Sequence, residues 1–165
     1  MKFSNAALAA LSFPFFAFIQ LVSRTKAEST TGLTIAGGMV VELCKGSNIT
    51  VDNGGDRSPA LSVGDDSSNG GASLTITGGS YKSIYAAGML VNEGSVATVL
   101  GGMIGSQYFD GMHVDFGAVA TVLGGMIQGG KYGDGMGVWA GSVTTVCDGT
   151  IQGATGWYNH GGGVC

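Results

Sequence analysis

The chain has 165 residues, 32 of them glycine and only 2 proline, with 44% apolar residues and a formal net charge of −4. Glycine does not recur at every third position, which excludes a collagen triple helix, and the apolar content is too high for a disordered glycine-rich chain. Eleven acidic residues against seven basic ones make a surface that repels phosphate backbones, so nucleic acid is not an expected partner.

The first 27 residues read as a secretory signal. Lys2 supplies a basic start, Ala6 to Val22 is almost wholly apolar, and Thr25-Lys26-Ala27 offers small residues for cleavage. The apolar run is at the lower limit of a membrane span, and no second one follows, so no stable span is expected after cleavage. The expected location is extracellular, in solution or against the cell surface or wall. The mature part, residues 28–165, keeps Lys45, Arg57, Lys82 and Lys131 against all eleven acids, a net charge of −7. Its length suits one domain. Cys44, Cys147 and Cys165 cannot all pair within one chain, which leaves a free thiol or a bond to another chain.

Gly32 to Gly46 (GLTIAGGMVVELCKG) forms a first half-unit, and a second begins at Gly46 with GSNITVDNGG. Asn48-Ile49-Thr50 within it is a glycosylation sequon, so Asn48 is a candidate acceptor. Asp56 to Gly71, which carries Pro59 and Asp65-Asp66, reads as an inserted loop. From Gly71 the chain repeats itself. GASLTITGGSY (Gly71), GSVATVLGGMI (Gly94), GAVATVLGGMI (Gly117) and GSVTTVCDGTI (Gly141) open units 71–93, 94–116, 117–140 and 141–165.

Each unit holds three short Val-, Ile- and Thr-rich pieces bounded by glycine, which predict three strands with tight turns. One such unit cannot bury its own apolar face, and stacking the units lets each strand bond to its copies above and below. The expected fold is all-β, a right-handed parallel β-helix of about five coils, three strands to each coil of about 23 residues. Coil length and Gly/Val/Thr texture over residues 32–165 resemble the pectin-lyase-like parallel β-helix proteins. That resemblance implies a fold, and an association with polysaccharide at the cell surface.

Alternation assigns Leu74, Ala97, Ala120 and Thr144, and Ile76, Val99, Val122 and Val146, to the core. Ile104, Ile127 and Ile151 continue it on the second strand; Met89, Met112 and Met136, with Val91, Val114, Val138 and Val164, on the third. The pairs Gly78-Gly79, Gly101-Gly102 and Gly124-Gly125 are expected to turn corners or to admit close coils. Between the inward columns runs an outward ladder of Thr50, Thr75, Thr98, Thr121 and Thr145, led by Thr34. Ser73, Val96, Val119 and Val143 flank it on one side; Thr77, Leu100, Leu123 and Cys147 on the other. Such a flat face suits a polymer or a neighbouring protein. It also resembles the Thr ladders of ice-binding β-solenoids, although only Thr75-Ile76-Thr77 has their Thr-x-Thr spacing.

The motifs YAAGM, YFDGM, YGDGM and YNHGG align Tyr85, Tyr108, Tyr132 and Tyr158, and also Ala87, Asp110, Asp134 and His160. Copies one coil apart lie about 4.8 Å apart. Asp110 and Asp134 are then expected to share a proton, with one pKa raised, or to bind a cation such as Ca²⁺; no other cofactor is expected. His113 and Asp115 lie near the same strand. Tyr108, Tyr132 and Trp139 offer faces for sugar rings. If the chain is an enzyme, a lyase, hydrolase or epimerase on acidic polysaccharide, Asp110, Asp134 and His160 are its candidate catalytic residues. The basic residue of such lyases has no counterpart beyond Lys131, and Asp-Gly is an ordinary turn dipeptide. The leading expectation is therefore a non-enzymatic protein binding polysaccharide or extracellular proteins. The end at Val164-Cys165, inside a third strand without a polar cap, adds an expectation of self-association through the last coil.

Overall fold

The computed structural model describes residues 18–21, 26–29, 32–52, 57–64 and 71–153, with side chains from residue 32 onward. Seventeen strands and no helix occur among them. They fall into three sheets, one strand of each per coil. The first sheet stacks β1 (Phe18–Leu21), β4 (Val40–Leu43), β7 (Ser73–Ile76), β10 (Val96–Val99), β13 (Val119–Val122) and β16 (Val143–Val146). The second stacks β2 (Lys26–Ser29), β5 (Asn48–Val51), β8 (Ser80–Ser83), β11 (Met103–Ser106), β14 (Met126–Gln128) and β17 (Thr150–Gln152). The third stacks β3 (Leu33–Ile35), β6 (Leu61–Val63), β9 (Met89–Val91), β12 (Met112–Val114) and β15 (Met136–Val138). Neighbours in every sheet are parallel, giving a β-solenoid of about five coils. Thr98 pairs with Thr75 and Thr121, each 23 positions away, and Thr121 pairs with Thr145, 24 positions on.

The core runs along the solenoid axis. Val41, Leu74, Ala97 and Ala120 form one buried column, and Leu43, Ile76, Val99 and Val122 a second. Ile104 and Ile127 are buried on the second sheet, and Met89, Met112, Val91 and Val114 on the third. This matches the alternation in the sequence, because inward residues recur every second position of a strand. Towards the last described coil the columns open: Met136 and Ile151 are half-buried and Val138 is 50% exposed, so Val138 is not a core residue here. Val164 lies outside the described residues. Tyr81 stands in the isoleucine column, between Ile49 and Ile104, fully buried. Its hydroxyl donates to the carbonyl of Gly78 at 3.0 Å. Burial pushes the phenol pKa up to about 12, against the lowering effect of the Ser47 hydroxyl.

The glycine pairs do both things expected of them. Gly79, Gly102 and Gly125 have φ of 100°, 93° and 85°, values open to glycine and strained for other residues. Their partners sit where coils crowd: a Cβ on Gly101 or Gly124 would lie 3.0 or 2.6 Å from the carbonyl oxygen of Thr77 or Leu100 one coil below.

Two further expectations are corrected. The stretch from Asp56 to Gly71 is not one loop, since it contains β6, whose Leu61 and Val63 are fully buried and which pairs with β3 and β9. Three residues flanked by Pro, Ser and Gly give too short a pattern to stand out, and Pro59 sits just ahead of the strand, where its missing N–H breaks no ladder bond. Thr34 and Thr50 do not lead the threonine ladder. Thr34 lies on the third sheet beside Ser62, and Thr50 on the second beside Lys82; Glu42 occupies the position before Thr75. An apolar-Thr-apolar triplet suits any sheet of a solenoid, so it does not by itself say which face it joins.

β1 lies inside the stretch read as a signal, and β2 begins one residue before its end. Cleavage after Ala27 would remove β1 and the first two residues of β2. No helix among the described residues is long and apolar enough to cross a membrane.

Candidate functional sites

Two outward faces carry the residues singled out in the sequence. On the first sheet, Thr75, Thr98, Thr121 and Thr145 stand in register, one per coil. Val40, Ser73, Val96, Val119 and Val143 form the column on one side. Thr77, Leu100, Leu123 and Cys147 follow the strands on the other, each donating its N–H to the coil below at 2.8–2.9 Å. Val40, Val96, Leu100, Leu123 and Val143 are all exposed. From Ser73 to Cys147 these columns hold no charged residue, and Glu42 is the only one at their start.

The face of the third sheet is chemically different at every coil. Leu90, His113 and Gly137 share one column. Asp110 precedes β12 and leans toward it, with Oδ2 3.2 Å from Nδ1 of His113. Its Oδ1 accepts the backbone N–H of Asp134 at 2.8 Å, tying one coil to the next. Burial alone would raise the Asp110 pKa, but the hydrogen bonds from His113 and from the Asp134 N–H, with the imidazole charge, outweigh it and hold the carboxyl below its ordinary value. The groups that lower it are His113 and the Asp134 backbone N–H, not the Asp134 carboxylate. The Trp139 ring lies 5.8 Å from His113, tilted by 50°, and is 60% exposed. A Cβ at Gly137 would sit 2.8 Å from Asp110 Oδ2 and 3.4 Å from His113 Nδ1, so the missing side chain leaves the pair uncovered on that side. Gly137 was not singled out from the sequence; aligning GML, GMH and GMG as one column would have found it.

The tyrosines at the corner between the second and third sheets form a stack. The rings of Tyr85 and Tyr108 are 5.6 Å apart at 23°, and those of Tyr108 and Tyr132 6.2 Å apart at 17°. The ring of Tyr108 is thus flanked on both sides by its own column, and it has only its edge to offer a sugar. Tyr132 is 71% exposed, with the Lys131 ammonium 4.8 Å from its ring centre. The neighbouring Tyr132 phenol raises the Lys131 pKa. Beside the stack, the Arg57 guanidinium covers Phe109 at 5.6 Å, a contact with no sequence signal, since the two residues are far apart in the chain.

Asn48 and Thr50 are both exposed on the outer face of the second sheet, so the sequon is accessible. His160, Tyr158 and Cys165 lie outside the described residues, as do Asp65 and Asp66. Among the described residues, no three His, Cys, Asp or Glu side chains gather into a group able to hold a metal ion. No protein-family model matches the chain, nor does any curated protein or solved structure.

Proposed function

We propose that the chain is a secreted, non-enzymatic β-helical protein of the cell surface or extracellular matrix that binds an extended polysaccharide through the outer face of its first sheet. The observation that carries this reading is the uncharged strip from Ser73 to Cys147, with a threonine at every coil and exposed Val96, Leu100, Leu123 and Val143 beside it. Three coil steps and four residues of strand give it about 14 by 13 Å, or roughly 190 Å² before side-chain fringes are added. That is well under the roughly 800 Å² per partner of a stable protein interface, and it suits a narrow polymer better than a globular protein. The hydroxyls supply hydrogen bonds and the flanking Val and Leu a dry border, on a rigid, preorganised sheet. The apolar amino terminus and the pectin-lyase-like texture are consistent with secretion to a polysaccharide-rich surface.

One observation favours a second reading, an enzyme acting on acidic polysaccharide. A partly exposed carboxylate paired with an imidazole is a proton-transfer unit. Against it, the lowered pKa of Asp110 makes that residue a poor general acid.

The test incubates the purified protein with acidic and neutral polysaccharides, with Ca²⁺ or with chelator. It follows both retention and the release of new reducing or unsaturated ends. Retention without new ends is expected, and the double change Thr98→Lys and Thr121→Lys should abolish it while the melting temperature holds. New ends that disappear in Asp110→Ala or Asp134→Ala would overturn the binding reading in favour of the enzyme. Thermal hysteresis with no glycan retention would move the threonine face to ice.

A further inference from the structure

We propose that the tyrosine stack is a site of oxidative phenol coupling, in which Tyr108 is joined to Tyr85 or to Tyr132 and adjacent coils are thereby stapled covalently. Three phenols on successive coils are held ring against ring at 5.6 and 6.2 Å. The outermost, Tyr132, is open to a solvent oxidant, while Tyr85 and Tyr108 are half-buried. Nothing in the polysaccharide reading requires this column, and neither the outer face of the first sheet nor the Asp110–His113 pair takes part in it.

The chemistry needs a one-electron oxidant, of the class formed by a haem peroxidase with hydrogen peroxide. Each phenol gives up one electron and its hydroxyl proton. The two phenoxyl radicals then join by one carbon–carbon bond ortho to the oxygens. The two ring hydrogens displaced there return to the oxygens as the rings regain aromaticity. One hydrogen peroxide takes up the two electrons and two protons and becomes two waters.

Proximity decides which product forms. One ring confined within 5.6 Å of another is at an effective concentration of about 2 M, roughly 10⁶-fold above that of a second chain at micromolar protein. Coupling within the chain therefore dominates coupling between chains. A Tyr85–Tyr108 bond closes a loop spanning 23 positions and locks two coils in register, as a disulfide would.

The experiment treats the whole purified protein at micromolar concentration with a haem peroxidase and hydrogen peroxide. It reads dityrosine emission, gel mobility and the masses of cross-linked peptides. The expected product is monomeric, lighter by two hydrogens, more heat-stable, and cross-linked through Tyr108. Tyr108→Phe, which keeps the stacked ring, should remove most of the dityrosine. Tyr85→Phe and Tyr132→Phe should each leave the other pair, and Tyr158→Phe should leave the Tyr108 link intact. A mainly intermolecular product, dityrosine undiminished in Tyr108→Phe, or no coupling where free tyrosine couples would each overturn the proposal.

Discussion

Tyr81→Phe offers the most quantitative test of how the core is built. The phenol is fully buried in the isoleucine column, and its pKa is pushed from 10.0 up to about 12. The sign follows from linkage. A raised pKa means that the neutral form is favoured in the folded chain, so the contribution is intact below pH 10 and is lost as pH rises toward 12. Two units correspond to about 2.7 kcal/mol at the limit, with roughly 1.4 kcal/mol gone by pH 11 and about 2.3 by pH 12. Phenylalanine keeps the ring and cannot ionise, but it removes the 3.0 Å hydrogen bond to Gly78, at a cost of about 1 kcal/mol near neutral pH. Wild type should therefore be the more stable protein at pH 8 and the less stable at pH 12, with the two curves crossing near pH ~11. Urea unfolding followed by circular dichroism at intervals from pH 8 to 12 measures the difference between the two proteins. Lysines, cysteines and surface tyrosines are common to both and cancel. A difference that stays constant across that range would show that Tyr81 does not remain neutral in the fold, and the buried-phenol argument would fail.

Gly102→Ala and Gly94→Ala both place a side chain at positive φ, but a Cβ at Gly102 meets Gly78 and Gly79 backbone at 2.8 Å, whereas the nearest atom to one at Gly94 is 4.0 Å away. Thermal melts should show a loss of about 1 kcal/mol for Gly94→Ala and at least twice that for Gly102→Ala; equal losses would refute the crowding argument. Because the Asp110 pKa is lowered, its stabilisation is present above the ordinary carboxylate value and is lost as pH falls through the acid range below pH ~4. Melting temperatures from pH 2 to 6 should show a steeper acid loss for wild type than for Asp110→Asn, and parallel curves would remove Asp110 from the inter-coil contact.

The coil count, the strands and the core columns were legible from residue 71 onward, because four units of nearly constant length align every inward residue with its copy. Legibility fell where the period broke. Glu42 and Thr75 are paired neighbours although 33 positions separate them, and that lengthened coil hid β6 and displaced Thr50 from its true sheet. The aligned motifs showed that the tyrosines would stack, but not that the stack would occupy its own ring faces. Asp110 was legible as a ladder position; its partners were not. Which oxygen faces His113 and which accepts the Asp134 N–H depends on how the Asp-Gly corner turns, and a list of columns does not carry that.

The contrast between the faces bears on how such a molecule recognises anything. On the first sheet threonine recurs at every coil from Thr75 to Thr145, flanked by Val and Leu at Val96–Leu100 and Val119–Leu123, so a ligand lying across it would meet a contact repeated at about 4.8 Å. On the third sheet Leu90, His113 and Gly137 differ at each step, so nothing periodic can be read there, and any contact is a single point set by Asp110, His113 and Trp139. Asp110 accepts the Asp134 N–H and so braces one coil against the next, while its other oxygen lies against His113. On the first sheet the Thr77 hydroxyl donates to the Leu43 carbonyl at 3.2 Å, and Thr98 and Thr121 continue the outward column. Core packing and the ladder bonds would tolerate charges at Thr98 or Thr121, yet the strip from Ser73 to Cys147 carries none on a chain whose formal net charge is −4. An uncharged, flat strip on an otherwise acidic surface is the arrangement that lets a long, weakly polar polymer lie down without desolvating an ion.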